Sequence, residues 1–368
     1  MVLPPHYDSL PGRTTMRRTP TRRRLIRSAG ATGLVAALAG CTIGSTDTDD
    51  EDNPPEEVDV ETIAADPTDV PDPIDRDEPT HHELELWTEE LVAEIEDGVT
   101  YPFMTFNGEI PGPMVRVRRG DTVHLTFDVP EDLNLDIHNV DFHAVYGPGG
   151  GAADTTIAPG DGPVEIEFRL EYPGAFYYHC APGEHDTHIS GGMFGTILVE
   201  PEDGLPAVDH ELYLGQHELY TDMDHGEEGH HQPDTDRMAA EDPTYVLFNG
   251  ELGRFMEDGA VGPLEVETDQ TVRIYWNNGG PNLTSGPHAI GNVWTNWYEY
   301  GDLESDPQRH VEGAALPPGT TGVGELQTPV PGEITLVDHA LSRVVRKGFG
   351  AQLYVEGEED TDIYEPDP

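Results

Sequence analysis

The segment from His179 to Met193 concentrates residue types that bind soft metal ions. It contains one of the two cysteines in the chain, Cys180, followed by His188 and Met193 at the spacing C-x7-H-x4-M. A thiolate, an imidazole and a weak thioether, with one more histidine from elsewhere, are the ligands of a trigonal blue-copper site. Each residue alone is more simply explained by core packing. Their combination in one segment predicts a metal centre.

Two short strands, 176–179 and 195–199, are predicted to flank this segment and to hold its residues in one loop. His185 competes with His188 as a ligand, because a C-x4-H spacing also occurs in copper-binding loops. Met193 would then stand eight residues beyond the histidine, which is too far for a compact loop. We therefore favour His188 as the ligand.

On an extended segment, residues five positions apart face opposite sides, and so do adjacent residues. His138 and His143 are five positions apart, and His179 is adjacent to Cys180. These pairs therefore predict two separate centres. His138 joins Cys180, His188 and Met193, whereas His143 and His179 lie on the other side. The second set lacks ligands, and an open metal position is typical of catalytic sites.

The elements that position these residues belong to an internal repeat. A Phe-Asn-Gly triplet occurs at residues 106–108 and again at 248–250, and an alternating strand pattern follows each copy. A Pro-Gly pair then opens a strand that reaches His179 in the first copy and His339 in the second. This pattern predicts an all-β chain of two Greek-key β-sandwich domains in tandem. The predicted domains are residues 81–203 and 204–357.

Composition and charge narrow the possible partners. The chain has 72 acidic against 19 basic residues, a formal net charge of −53, which excludes nucleic acid as a partner. Self-repulsion on this scale is tolerable in molar salt, where the screening length falls to about 3 Å. We therefore interpret the charge as adaptation to high salt. The 41 glycines and 33 prolines agree with an all-β fold rich in turns.

The N-terminus, residues 1–41, is predicted to be a twin-arginine signal that ends in a lipoprotein cleavage box. Arg22 and Arg23 precede an apolar run, 29–39, that is too short to span a bilayer. We expect export in the folded state and lipid attachment at Cys41, on the outer face of the cytoplasmic membrane. A signal peptide without lipid is the alternative. Residues 42–80 are predicted to be a disordered acidic linker, and residues 358–368 an acidic tail.

Seven motifs along the chain form a pattern known from one enzyme family. In order they are Phe106-Asn107-Gly108-Glu109-Ile110-Pro111-Gly112-Pro113, His138-Asn139-Val140-Asp141-Phe142-His143, Tyr178-His179-Cys180-Ala181, His188-Ile189-Ser190-Gly191-Gly192-Met193, Asn278-Gly279-Gly280-Pro281-Asn282-Leu283, His288-Ala289-Ile290-Gly291 and Leu336-Val337-Asp338-His339. With these motifs the chain resembles the copper-containing nitrite reductases over about residues 95–357.

The resemblance implies that both β-sandwich domains have the cupredoxin fold. It also implies two coppers per chain and a homotrimer. It implies a type 2 copper held by His143 and His179, with His339 supplied by a neighbouring subunit. Asp141 matches the catalytic aspartate of the family. The type 1 copper would be held by His138, Cys180, His188 and Met193.

The resemblance also implies the reaction. Type 1 copper would accept an electron from a small exported cupredoxin or cytochrome c and pass it through Cys180 and His179 to type 2 copper. Nitrite would bind there and be reduced to nitric oxide and water, with protons from Asp141 and His288. Ile290 matches the apolar residue that shapes the nitrite pocket.

Two other classes of copper protein compete with this hypothesis. A multicopper oxidase of the laccase type needs His-x-His pairs, and the sequence has none. An electron carrier with a type 1 centre alone would not need His143, His179 and His339. The histidines of the acidic segment 217–236 are predicted to lie in a solvated loop between the domains, with an adventitious metal-binding tract as the alternative.

Overall fold

The structure, a computed structural model, describes residues 62–365, and its regular elements are almost all β-strands. The prediction of an all-β fold is therefore confirmed. The predicted signal, with Cys41, and the first part of the predicted linker lie outside the described residues. Between residues 62 and 365, no helix has the length and apolar character needed to cross a membrane.

The first half of the chain contains eight strands, two short α-helices and a 3₁₀ turn (Pro148–Gly151) among its described residues. Along β1, every second side chain between Leu84 and Thr88 is buried, as expected for a strand with one face on a core. The elements are β1 (His81–Glu96), β2 (Val99–Phe106), β3 (Val115–Arg118), β4 (Thr122–Asp128), β5 (Asp141–Phe142), α1 (Ala152–Thr155), β6 (Val164–Arg169), β7 (Gly174–His179), α2 (His185–Ser190) and β8 (Phe194–Glu200).

The second half, up to residue 365, contains eleven strands and two short α-helices. The elements are β9 (His210–Leu219), β10 (Gly229–His230), α3 (Thr235–Ala239), β11 (Tyr245–Phe248), β12 (Leu264–Glu267), β13 (Thr271–Gly280), β14 (Pro287–Ile290), β15 (Trp294–Tyr298), β16 (Gln308–Val311), β17 (Thr320–Gln327), β18 (Gly332–Asp338), α4 (Ser342–Lys347) and β19 (Ala351–Glu356).

Each half packs two sheets face to face. The first-half strands form the sheets β2-β1-β4-β6 and β3-β8-β7-β5, and β10 of the second half extends the first of these sheets beside β2. In the second half the strand orders are β11-β9-β13-β17-β15-β16 and β12-β19-β18-β14. The two largest apolar cores draw on residues 84–199 and 212–355 respectively. Two smaller apolar clusters combine residues of both halves, and the boundary predicted between residues 203 and 204 stays a prediction.

Residues 62–80 depart from the predicted disordered linker. Ile63 is buried, and its carbonyl accepts a hydrogen bond of 2.8 Å from the Ile110 backbone N–H. Two residues later, Ala65 donates to the Ile110 carbonyl and accepts from the Asn249 side chain of the second half. The prediction was wrong here because the short apolar run 63–65 buries its side chains and pairs its backbone groups within an otherwise acidic segment.

The acidic segment 217–236 differs in part from the predicted solvated loop, because residues 224–228 are exposed but two of the segment's histidines are buried. His217 lies in β9, is fully buried, and packs 3.0 Å from the Ser190 carbonyl at the end of α2. His231 is buried as well and contacts the Thr221 hydroxyl. Strand β10 pairs with β2, so the segment crosses from the second half to a sheet of the first. None of these histidines belongs to a possible metal-binding group among the described residues.

Candidate metal centres

The first candidate centre forms where β7 ends and α2 begins. The Nδ1 atoms of His138 and His188 each lie 3.6 Å from the Cys180 Sγ. The Asn139 backbone N–H donates to the same sulfur over 3.5 Å. One ligand atom from each of the three residues therefore converges on one point. The structure thus brings His188 beside the thiol, whereas the rival His185 lies exposed at the start of α2.

Burial sets the protonation of this cluster when no metal is bound. It raises the pKa of the Cys180 thiol to about 12 and lowers the pKa of His188 to about 4. The imidazole is therefore already neutral, the form that ligates a metal, whereas the thiol must release a proton on binding. A buried thiol beside two imidazoles suits a soft or borderline metal such as copper or zinc.

The fourth predicted ligand, Met193, is completely buried in the same core as Cys180. Two backbone hydrogen bonds fix its position relative to the other ligands. The Cys180 N–H donates to the Met193 carbonyl at 3.1 Å, and the Met193 N–H donates to the His188 carbonyl at 3.0 Å. Backbone hydrogen bonds thereby connect Met193 to both Cys180 and His188.

The second candidate centre lies on the other side of the same strand. Each of Asp141, His143 and His179 offers one ligand atom, and these atoms lie within 4.8 Å of one another. Strands β5 and β7 pair Asp141 with His179. The His179 Nδ1–H donates to the Cys180 carbonyl at 2.8 Å, which leaves Nε2 as its ligand atom, 3.7 Å from an Asp141 oxygen. The rings of His143 and His179 are perpendicular, with centroids 5.3 Å apart.

Comparison with known proteins gives the family. The chain is 42% identical over 305 residues to the copper-containing nitrite reductase of Neisseria meningitidis serogroup B, covering 83% of this chain and 76% of the relative. It is 34% identical over 308 residues to that of Cereibacter sphaeroides, covering 78% and 79%. The chain belongs to the copper-containing nitrite reductase family. A family model described as multicopper oxidase also matches residues 88–204.

Solved structures agree with this assignment to the nitrite reductase family. The copper nitrite reductase of Nitrosomonas europaea superposes with a TM-score of 0.68 at 30% identity, over 76% of this chain and 95% of that one. A multicopper oxidase superposes with a TM-score of 0.63 at 24% identity, which indicates a shared fold alone. The predicted cupredoxin β-sandwich is therefore confirmed.

The remaining residues of the nitrite reductase pattern lie together in the second half. The rings of His288 and His339 stand 5.2 Å apart and line a cavity of about 370 Å³ with Glu312, Gly313 and Ala314. The His288 Nδ1–H donates to the Glu312 carbonyl. Ile290 follows two positions along β14, on the same face of the strand as His288, and is 46% exposed. His339 belongs to neither three-residue cluster of the described chain.

A buried carboxylate, that of Asp338, positions these two histidines. The sequence alone indicates no role for it. Asp338 accepts hydrogen bonds of 3.0 Å from the backbone N–H groups of Gly286 and Ala340 and forms an ion pair with Arg343. The His339 N–H donates to the Gly286 carbonyl at 2.8 Å. The segments before His288 and around His339 are therefore tied to one side chain, which is completely buried.

Proposed function

We propose that this protein is a copper-dependent nitrite reductase that converts nitrite, one electron and two protons to nitric oxide and water. The observation that carries the proposal is the pair of ligand clusters on the two sides of adjacent residues, His179 and Cys180. The high identity to relatives named copper-containing nitrite reductase supports the same activity.

The donor atoms of both clusters suit copper. His138, Cys180 and His188, with the thioether of Met193, would hold a type 1 copper. His143 and His179 would hold a type 2 copper, and two coppers per chain would result. Copper, when bound, supplies the one-electron redox chemistry. The covalent path from Cys180 to His179 is the shortest connection between the two ligand sets.

We propose a homotrimer in which the neighbouring copy contributes His339 to each type 2 site. Two groups of histidines, neither of which forms a complete three-histidine site within the described part of one chain, support this proposal. His143 and His179 cluster with a carboxylate, whereas His288 and His339 line their own cavity. A contact between copies would bring the third histidine to the first two and close the site against water.

Asp141 and His288 are proposed to deliver the two protons. Asp141 lies 3.7 Å from the free Nε2 of His179, close enough to reach a small anion bound there. His288 donates its Nδ1–H to the Glu312 carbonyl, so its Nε2 is the atom that can exchange a proton in the cavity. Acid catalysis by positioned groups of this kind contributes roughly 10²–10⁴ in rate. Ile290 would provide an apolar wall of the pocket.

An anaerobic assay tests the proposed activity. We expect purified, copper-loaded protein to form nitric oxide from nitrite with an artificial electron donor. The bound copper per chain separates the alternatives, because about two fits the reductase, one an electron carrier and four an oxidase. One copper per chain without nitric oxide formation would contradict the proposal.

We further propose that the protein leaves the cell by the twin-arginine route and is lipid-anchored at Cys41, where a small exported cupredoxin or cytochrome c would reduce it. Replacing Cys41 by alanine should release the protein from the membrane fraction, and its retention there would argue against the anchor.

Adaptation to high salt is proposed from the net charge of −53. It predicts a higher unfolding temperature in molar salt than in dilute buffer.

A further inference from the structure

A carboxylate stands directly behind one ligand of the first cluster. The Nδ1 atom of His138 faces the Cys180 sulfur at 3.6 Å, and its Nε2 atom lies 3.0 Å from the Oε1 atom of Glu90. The His138 ring is completely buried, and the Glu90 side chain is 15% exposed. An ionised carboxylate only accepts hydrogen bonds. The His138 Nε2 therefore carries the proton and donates it, which leaves the Nδ1 lone pair directed at the sulfur.

The position of Glu90 is itself fixed on two sides. Its Oε1 atom also accepts the backbone N–H groups of Leu135 and Asp136, at 2.9 and 2.8 Å. Its own backbone N–H donates to the Leu133 carbonyl at 2.9 Å, while β1 pairs it with Met104 of β2. The side chain thus connects the sheet to the turn that leads into His138, and it cannot shift without breaking several hydrogen bonds.

We propose that Glu90 is a positioning residue for the type 1 copper ligand His138. It selects the tautomer whose Nδ1 is free to ligate, holds the ring in its orientation, and makes the imidazole a stronger donor through a charged hydrogen bond. A stronger donor favours the oxidised metal, so Glu90 lowers the reduction potential of the centre and raises its copper affinity. The inference rests on the proposed copper function of His138 and Cys180.

Two substitutions separate the charge of Glu90 from its hydrogen bond. Glu90→Gln keeps the shape and one acceptor oxygen but removes the charge, whereas Glu90→Leu removes the acceptor as well. Glu94→Gln is the matched control, because Glu94 lies on the same strand with its side chain exposed. The full chain is freed of copper and titrated with copper alone, while the visible absorption of the thiolate centre and its reduction potential are measured.

We expect Glu90→Gln to raise the reduction potential and Glu90→Leu to weaken copper binding about 10–100-fold, the usual effect of losing such a partner. The control should match the wild type in both. Thermal unfolding of the copper-free proteins checks that each variant folds. If Glu90→Leu does not fold, the measurements on Glu90→Gln alone test the inference. Wild-type potential and affinity in Glu90→Gln would overturn the inference. Failure of the wild type to form a coloured copper centre would instead overturn the proposed function.

Discussion

Replacing Gly150 by alanine tests whether the position of Asp141 controls turnover. Gly150 lies in the turn before α1, with a φ of 57°, and its backbone packs against the Asp141 carboxylate. A Cβ atom at this position would stand 2.0 Å from the Asp141 Oδ1 atom and within 2.9 Å of the Phe142 backbone. The carboxylate and β5 must therefore move to accommodate even the smallest side chain.

The size of the effect follows from these distances. Ordinary contact begins near 3.4 Å, so the Asp141 oxygen has to shift by roughly 1.4 Å. A misplacement of about 1 Å in a catalytic site can cost about 10²-fold in rate. The loss cannot exceed the contribution of acid catalysis itself, roughly 10²–10⁴. We therefore expect turnover of nitrite to fall about 100-fold in Gly150→Ala.

The neighbouring glycine provides a matched control. Gly149 has nearly the same φ, 58°, but an added Cβ would meet only the Ala152 Cβ, at an ordinary 3.5 Å. Both alanine variants carry the left-handed strain of about 1–2 kcal/mol, and only Gly150→Ala displaces Asp141. Anaerobic nitric oxide formation is measured for both, together with the visible spectrum, which should match the wild type. Equal turnover in the two variants would refute the reasoning.

Three further changes test other parts of the site. Cys180→Ala should abolish the visible absorption of the copper-loaded protein, because the thiolate is its source; retained colour would exclude Cys180 as a ligand. His339→Ala should leave the colour unchanged and remove nitrite turnover, so full activity would contradict its proposed role in the neighbouring subunit. Asp338→Asn should lower turnover at least 10-fold with the colour retained, because it weakens the support of both cavity histidines. Asp121→Asn is its control, since Asp121 is equally buried, also pairs with an arginine and, in the described part of the chain, bonds to no residue of either centre; an equal loss of turnover there would indicate general destabilisation.

The sequence predicted that His138, Cys180 and His188 would lie together, and the structure brings their ligand atoms within 4.8 Å of one another. Thiols are rare in the chain, and the spacing of Cys180 and His188 in one loop is restrictive. The role of Met193 as a fourth ligand stays a prediction. Alternation along β7 also predicted that His179 and Cys180 face different clusters, as they do in the structure. The roles of these residues as ligands stay predictions. Their spatial grouping, however, follows from a local rule that needs no knowledge of distant parts of the chain.

The supporting residues could not be predicted in the same way. Glu90 contacts His138 across 48 positions of sequence, and glutamate is among the commonest residues of this acidic chain. Gly150 touches Asp141 only because the turn before α1 folds back on β5. Composition also led to a wrong prediction for residues 62–80. The three apolar residues 63–65 lie in an acidic segment, but their side chains are buried, and Ile63 and Ala65 form hydrogen bonds with the Ile110 backbone.

The adjacency of His179 and Cys180 has a mechanical consequence for the proposed enzyme. One peptide holds a ligand of each cluster, and the His179 Nδ1–H is bound to the carbonyl of Cys180. A shift of β7 would therefore move both ligands together and leave the connection between the clusters intact. Other residues support one cluster only: Glu90 contacts His138 of the first, and Gly150 packs against Asp141 of the second. Each of them can be changed without changing the other. Substitutions there should thus separate electron acceptance from proton delivery, whereas substitutions in β7 should disturb both at once.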